Sequence, residues 1–238
     1  MIISTNQPYF CPFPGFFYKA LLSDALVILD DIQFPQSTTW INRNRFKNDQ
    51  GPLWLTIPVW KKGWGRQNIN QVRICYEGRW PHKHLESLKT AYGNAPYLAD
   101  HLNFLKEIFS SGFAKLVDLN LVIINHLLSC LQIETRLVLL SDLGIKAKGP
   151  QLLIEICKAM EASTFLVQRQ AYKYLDPELF HKNGIELGCF SYRAPIYPQL
   201  WGDFLAHLST FDLVFNCGPK ARDIMIRHQP EVTVLATN

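Results

Sequence analysis

Met1-Ile2-Ile3-Ser4-Thr5-Asn6-Gln7-Pro8 and, after a turn and a short helical stretch, Leu26-Val27-Ile28-Leu29-Asp30-Asp31-Ile32-Gln33-Phe34 decide the fold. The first run is short and β-branched, and Pro8 cannot continue a strand ladder, so residues 1–5 read as a buried strand. In the turn, Tyr9-Phe10-Cys11-Pro12-Phe13-Pro14 leads to Gly15, whose missing Cβ permits close backbone approach, and Phe16 to Leu22 carries helical spacing. Leu26 to Leu29 is a continuous apolar run of the kind parallel sheets bury on both faces. The result is a β-turn-α-β unit, and open α/β sheets bind ligands beyond the carboxyl ends of their strands. Those ends carry Asn6, Gln7, Asp30, Asp31 and Gln33. The next segment, Trp40-Ile41-Asn42-Arg43-Asn44-Arg45, sets two guanidiniums beside two amides, a grip suited to phosphate or carboxylate.

Beyond this unit the pattern becomes β-rich from Pro35 to Ile74. A hairpin is expected from Arg45-Phe46 through a Lys47–Gly51 turn to Leu53–Val59, with a further strand at Val72-Arg73-Ile74. Between them, Lys61-Lys62-Gly63-Trp64-Gly65-Arg66-Gln67 is a basic, glycine-bearing loop suited to closing over a ligand. Helical spacing follows over Trp80–Tyr92, Leu98–Ser110 and Lys115–Leu131. Strand-helix alternation then resumes: strands at Leu137–Leu140 and Thr164–Val167, helices at Gln151–Met160 and Pro177–Asn183, and a final strand at Ile185–Phe190. A last helix is expected from Ala221 to His228. Gly218-Pro219 reads as a helix stop with Gly218 left-handed.

If the first two strands and those ending at Leu140 and Val167 are parallel neighbours, Ser141-Asp142 and Gln168-Arg169 join Asn6-Gln7 and Asp30-Asp31 on one sheet edge. The expected fold is a Rossmann-like α/β domain with a mainly parallel sheet, one unit over residues 1–238. Residues 35–131 form its β-hairpin and helical insertion.

With 238 residues, 48% of them hydrophobic, the chain can bury a sizeable core. Its net charge of +4 is mild and no run of five basic residues occurs, which argues against a nucleic-acid partner. Six cysteines are scattered without a Cys-x-x-Cys pair, the pattern of a reducing compartment without a zinc site. His82 and His84, two residues apart on a helix, diverge and do not make a metal face. No secretory leader pattern or bilayer-length apolar run is present, so cytoplasm is the expected location. Walker A, dinucleotide, Gly-x-Ser-x-Gly and His-Glu-x-x-His motifs are all missing.

Several of these stretches resemble the WbqC-like family, named for its occurrence in bacterial O-antigen gene clusters. They are Gln7-Pro8-Tyr9, Pro14-Gly15-Phe16-Phe17 with Lys19, Asp30-Asp31-Ile32-Gln33-Phe34, and Asn42-Arg43-Asn44-Arg45. The likeness continues through Trp80, His84, Leu119-Asn120, Tyr197-Pro198 and Leu213–Gly218. Members commonly begin His-Gln-Pro where this chain has Asn6-Gln7-Pro8, so an acid-base histidine there would be replaced by an amide. The layout also resembles nucleotidylyltransferase-like enzymes, with Phe13 and Phe16 standing where their His-x-Gly-His motif has histidines.

The resemblance implies a biosynthetic enzyme of surface polysaccharide or a related small-molecule pathway, transferring an acyl or aminoacyl group to a nucleotide-linked amino sugar. The alternative is a non-catalytic nucleotide or sugar-nucleotide binding protein. The expected catalytic residues are Asp30 and Asp31, one of them as general base or metal ligand, and His84 as an auxiliary acid-base group. The expected substrate-binding residues are Asn6, Gln7, Tyr9, Gln33, Asn42, Arg43, Arg45 and Gln168. No metal is assigned and no cofactor is named.

Overall fold

The apolar runs of the sequence become neighbouring strands of one sheet. A computed structural model describes residues 1–227, 229–230 and 233–234. In chain order its elements begin with β1 (Ile2–Asn6), α1 (Pro14–Leu21), β2 (Ala25–Ile28), β3 (Arg43–Asn48) and β4 (Gly51–Thr56). Helices α2 (Trp80–Tyr92), α3 (Leu98–Ser110) and α4 (Leu116–Cys130) follow. Then come β5 (Arg136–Leu139), α5 (Leu140–Leu143), α6 (Gly149–Ala159), β6 (Thr164–Gln168), α7 (Arg169–Tyr172), α8 (Pro177–Lys182) and β7 (Glu186–Phe190). The last are α9 (Thr210–Cys217), α10 (Ala221–Ile226) and β8 (Thr233–Val234). His228, the expected end of the last helix, lies outside the described residues.

The sheet order is β5-β2-β1-β6-β7-β8, with the first five strands parallel and β8 antiparallel to β7. Counted along the chain, the five parallel strands lie in the order 3-2-1-4-5, which is Rossmann-like. The strands expected to converge, β5, β2, β1 and β6, are consecutive parallel neighbours, so their carboxyl ends share one edge.

Side chains along β2 alternate between two apolar clusters. Leu26 and Ile28 face the layer holding α1, the hairpin, α4 and α9, while Ala25 and Val27 face α6 and α8. This period of two, with both faces buried, is why β2 has no polar residue between Ala25 and Ile28. The hairpin and helices α2 to α4 share one continuous apolar cluster with the sheet, through Phe10, Phe34, Ile41 and Phe46 among others.

Four expectations are corrected. The β3–β4 turn is only Asp49-Gln50, because Lys47 pairs with Pro52 inside the ladder and sends its buried ammonium to Gln199 and Asp203. Val72–Ile74 is not a strand: Arg73 and Ile74 make single bridges to Lys115 and Val59 after a 3-10 turn at Ile69–Gln71. β7 is not the last strand, since β8 adds to its free edge. Gly218 stops α9 at φ 50° and ψ −127°, outside the left-handed helical well, and the chain resumes helix at Ala221 after a 3-10 turn.

Candidate functional site

Immediately past β2 the two adjacent carboxylates separate. Asp30, 2% exposed, accepts hydrogen bonds from the Ser141 backbone N–H (2.9 Å) and hydroxyl (2.6 Å). It therefore ties the start of α5 to the end of β2. Asp31 faces the other way, accepting from Asn68 Nδ2 (3.0 Å), Asn70 Nδ2 (3.3 Å) and Lys146 Nζ (3.1 Å). Partial burial works to raise its pKa, but the hydrogen bonds from Lys146, Asn68 and Asn70 outweigh this and hold it below the ordinary aspartate value.

Asp31 and Gln33 form one wall of a cleft of about 510 Å³, completed by Asn68, Lys146, Lys148 and the start of α6. Gly149 opens α6 at φ +56°, with Lys148 as an extended N-cap residue that places no side chain over the first helical N–H groups. Uncapped amides, the positive end of a helix dipole and two lysines favour an anion at this place. One carboxylate and several amides on the facing wall can take hydroxyl or ammonium groups.

One strand over, at the end of β1, the site is differently built. Lys19 on α1 donates to the Thr5 carbonyl (2.7 Å) and to Asn6 Oδ1 (2.6 Å), while Asn6 Nδ2 donates to the Gln7 carbonyl. Burial pulls the Lys19 ammonium down to about 8, and no carboxylate pairs with it among the described residues. Gln7 and, at the end of β6, Gln168 are half-buried. The Tyr9 ring packs near Phe16, and burial raises its phenol. The turn between β1 and α1 is filled: a Cβ on Gly15 would lie 2.8 Å from the Tyr192 ring, and Phe13 presses on the same atom. Aromatic rings thus occupy the first turn, and the open cleft sits over β2 and β5.

The hairpin residues are dispersed among separate partners. Asn42 donates to the Ile57 carbonyl, and Asn44 is buried, donating to Phe10 and Cys11. Arg43 lies 3.9 Å above the Trp54 ring, which stacks on Trp40, whereas Arg45 donates to the Ala206 carbonyl. Arg43 and Arg45, two residues apart on β3, thus have different partners. His84 bonds the Thr56 carbonyl at 2.9 Å and packs against Trp80 and Phe109; burial lowers its pKa.

Comparison with known proteins places the chain. The model of the WbqC-like protein family matches residues 7–224. The chain belongs to the WbqC-like family. It is 32% identical over 226 residues to the uncharacterized protein Rv1507c of Mycobacterium tuberculosis, covering 94% of this chain and 96% of that one. No solved structure matches it. As a WbqC-like protein it thus has a whole-length relative without an assigned activity.

Among the lining residues, sequence reasoning missed Asn68, Lys146 and Lys148. A signal was present in Gly144-Ile145-Lys146-Ala147-Lys148-Gly149-Pro150: two alternating lysines directly before a glycine and a proline that open a helix.

Proposed function

We propose that this WbqC-like protein is a biosynthetic enzyme binding a nucleotide-linked amino sugar and transferring an acyl or aminoacyl group to it, in the making of surface polysaccharide. The observation that carries the reading is the cleft of about 510 Å³ lined by Lys148, the first turn of α6, Gln33 and the Asp31–Lys146 ion pair. In this reading the lysines and helix amides hold the diphosphate. Asp31, kept ionised, orients a sugar hydroxyl or amine with Gln33; a carboxyl held below its usual range is a weak base, so its part is positioning. Asn6, Gln7, Tyr9 and Gln168, along the neighbouring strand ends, then face the group being transferred.

A thermal-shift screen against nucleoside diphosphates and nucleotide-amino-sugars, with and without magnesium, tests the reading. A ligand at a hundred times its Kd adds about 2.7 kcal/mol to native stability. The expected outcome is a rise with the sugar-nucleotide that is lost in Lys148→Ala. No rise with any of these compounds would sink the proposal.

A second reading, a binding protein without turnover, is favoured by one observation. Two of the three expected catalytic side chains, Asp30 and His84, are engaged with scaffold atoms. Mass spectrometry of the bound sugar-nucleotide after incubation with acyl donors separates the two, since only the enzyme adds the acyl mass.

A further inference from the structure

Two helices of the segment between β2 and β5 bring three metal-ligating atoms together, none of them lining the cleft. His126 and Cys130 stand one turn apart on α4, so the helical period puts them on one face. His101 comes from α3, which packs alongside. His101 Nδ1 is 3.1 Å from His126 Nε2, and that nitrogen is 3.6 Å from Cys130 Sγ. All three ligand atoms lie within 4.8 Å of one another. With zinc–nitrogen and zinc–sulfur bonds of about 2.0–2.1 and 2.3 Å, the edges of a tetrahedral site are about 3.3 Å between nitrogens and about 3.6 Å from nitrogen to sulfur.

Without a metal, one N–H···N hydrogen bond joins the two imidazoles, and Cys130 Sγ stands beside the same His126 nitrogen. A cation takes a lone pair from each of the three. The rings are also held in place: Phe104 lies flat against His126 at 3.6 Å, and Phe215 flanks His101 at 5.4 Å. His101 is buried whereas His126 and Cys130 are only half-buried, which leaves a path from solvent.

We propose that His101, His126 and Cys130 bind one borderline-soft transition-metal ion, Zn²⁺ foremost, with a fourth position open to water or a small ligand. Two imidazoles and a thiolate exclude the oxygen-seeking Mg²⁺ and Ca²⁺. Binding converts the Cys130 thiol to thiolate and releases its proton to solvent.

The test is titration of the chelator-treated full chain with Co²⁺, followed by absorption spectroscopy. One equivalent is expected to give tetrahedral d–d bands and a thiolate-to-cobalt charge-transfer band, both abolished by added Zn²⁺. Cys130→Ser should lose the charge-transfer band, and His126→Gln should weaken binding by about tenfold or more. Melting curves establish that each variant is folded, and either folded variant suffices. Uptake of no Co²⁺ at micromolar concentration, or a spectrum unchanged in a folded Cys130→Ser or His126→Gln, would overturn the assignment.

Discussion

Asp30 and Asp31 are neighbours in sequence with opposite surroundings, and the difference decides what each can do. Asp30 has both oxygens on Ser141 and is sealed from solvent, while Asp31 stands on the cleft wall. Asp30→Ala removes two hydrogen bonds to a carboxylate that join the end of β2 to the start of α5, so unfolding in urea should show a loss of about 1.5–3 kcal/mol. Asp30→Asn keeps one acceptor and should lose less, with ligand affinity in the cleft unchanged. A stable Asp30→Asn protein that binds sugar-nucleotide but no longer transfers would instead make Asp30 part of the chemistry. The sequence could show that carboxylates, amides and arginines cluster after the strands; it could not show their partners. Asn42, Asn44, Arg45 and His84 all spend hydrogen bonds on main-chain carbonyls that are distant in sequence.

At the scale of elements, the long periodic stretches were the legible ones. Helices α2 and α3 fall where the apolar spacing placed them, and α4 differs by one residue at each end. Short elements depended on tertiary contacts instead: Lys47 entered β3 because a buried polar pocket at Gln199 and Asp203 accepts its ammonium. Gly218 is a second case, read as a left-handed stop and found at a junction between two helices. A Cβ there would lie 2.5 Å from the ring of Tyr97, whose own N–H is tied to the Phe215 carbonyl, and φ is positive as well. Gly218→Ala should therefore cost about 1–3 kcal/mol in urea unfolding. A variant as stable as the parent would show that the Tyr97 ring yields freely.

For the whole molecule, alternation of strands and helices in the sequence was enough for a parallel sheet, and the convergence of four strand ends followed from it. The position of the opening was not legible, because it depends on which turn the aromatic side chains fill. Phe13 and Tyr192, far apart in the chain, close the first turn, and the cleft opens over β2 and β5, lined by the Asp31–Lys146 pair and by Lys148 before α6. The claim that this cleft holds a nucleotide diphosphate is tested most directly by calorimetric titration of a nucleotide-amino-sugar into the parent and a Lys146→Ala/Lys148→Ala variant. Removing two phosphate contacts, each a charged hydrogen bond, is expected to weaken binding by about a hundredfold while the melting temperature of the free protein stays within a few degrees. Equal affinity in both proteins would contradict the assignment of the site.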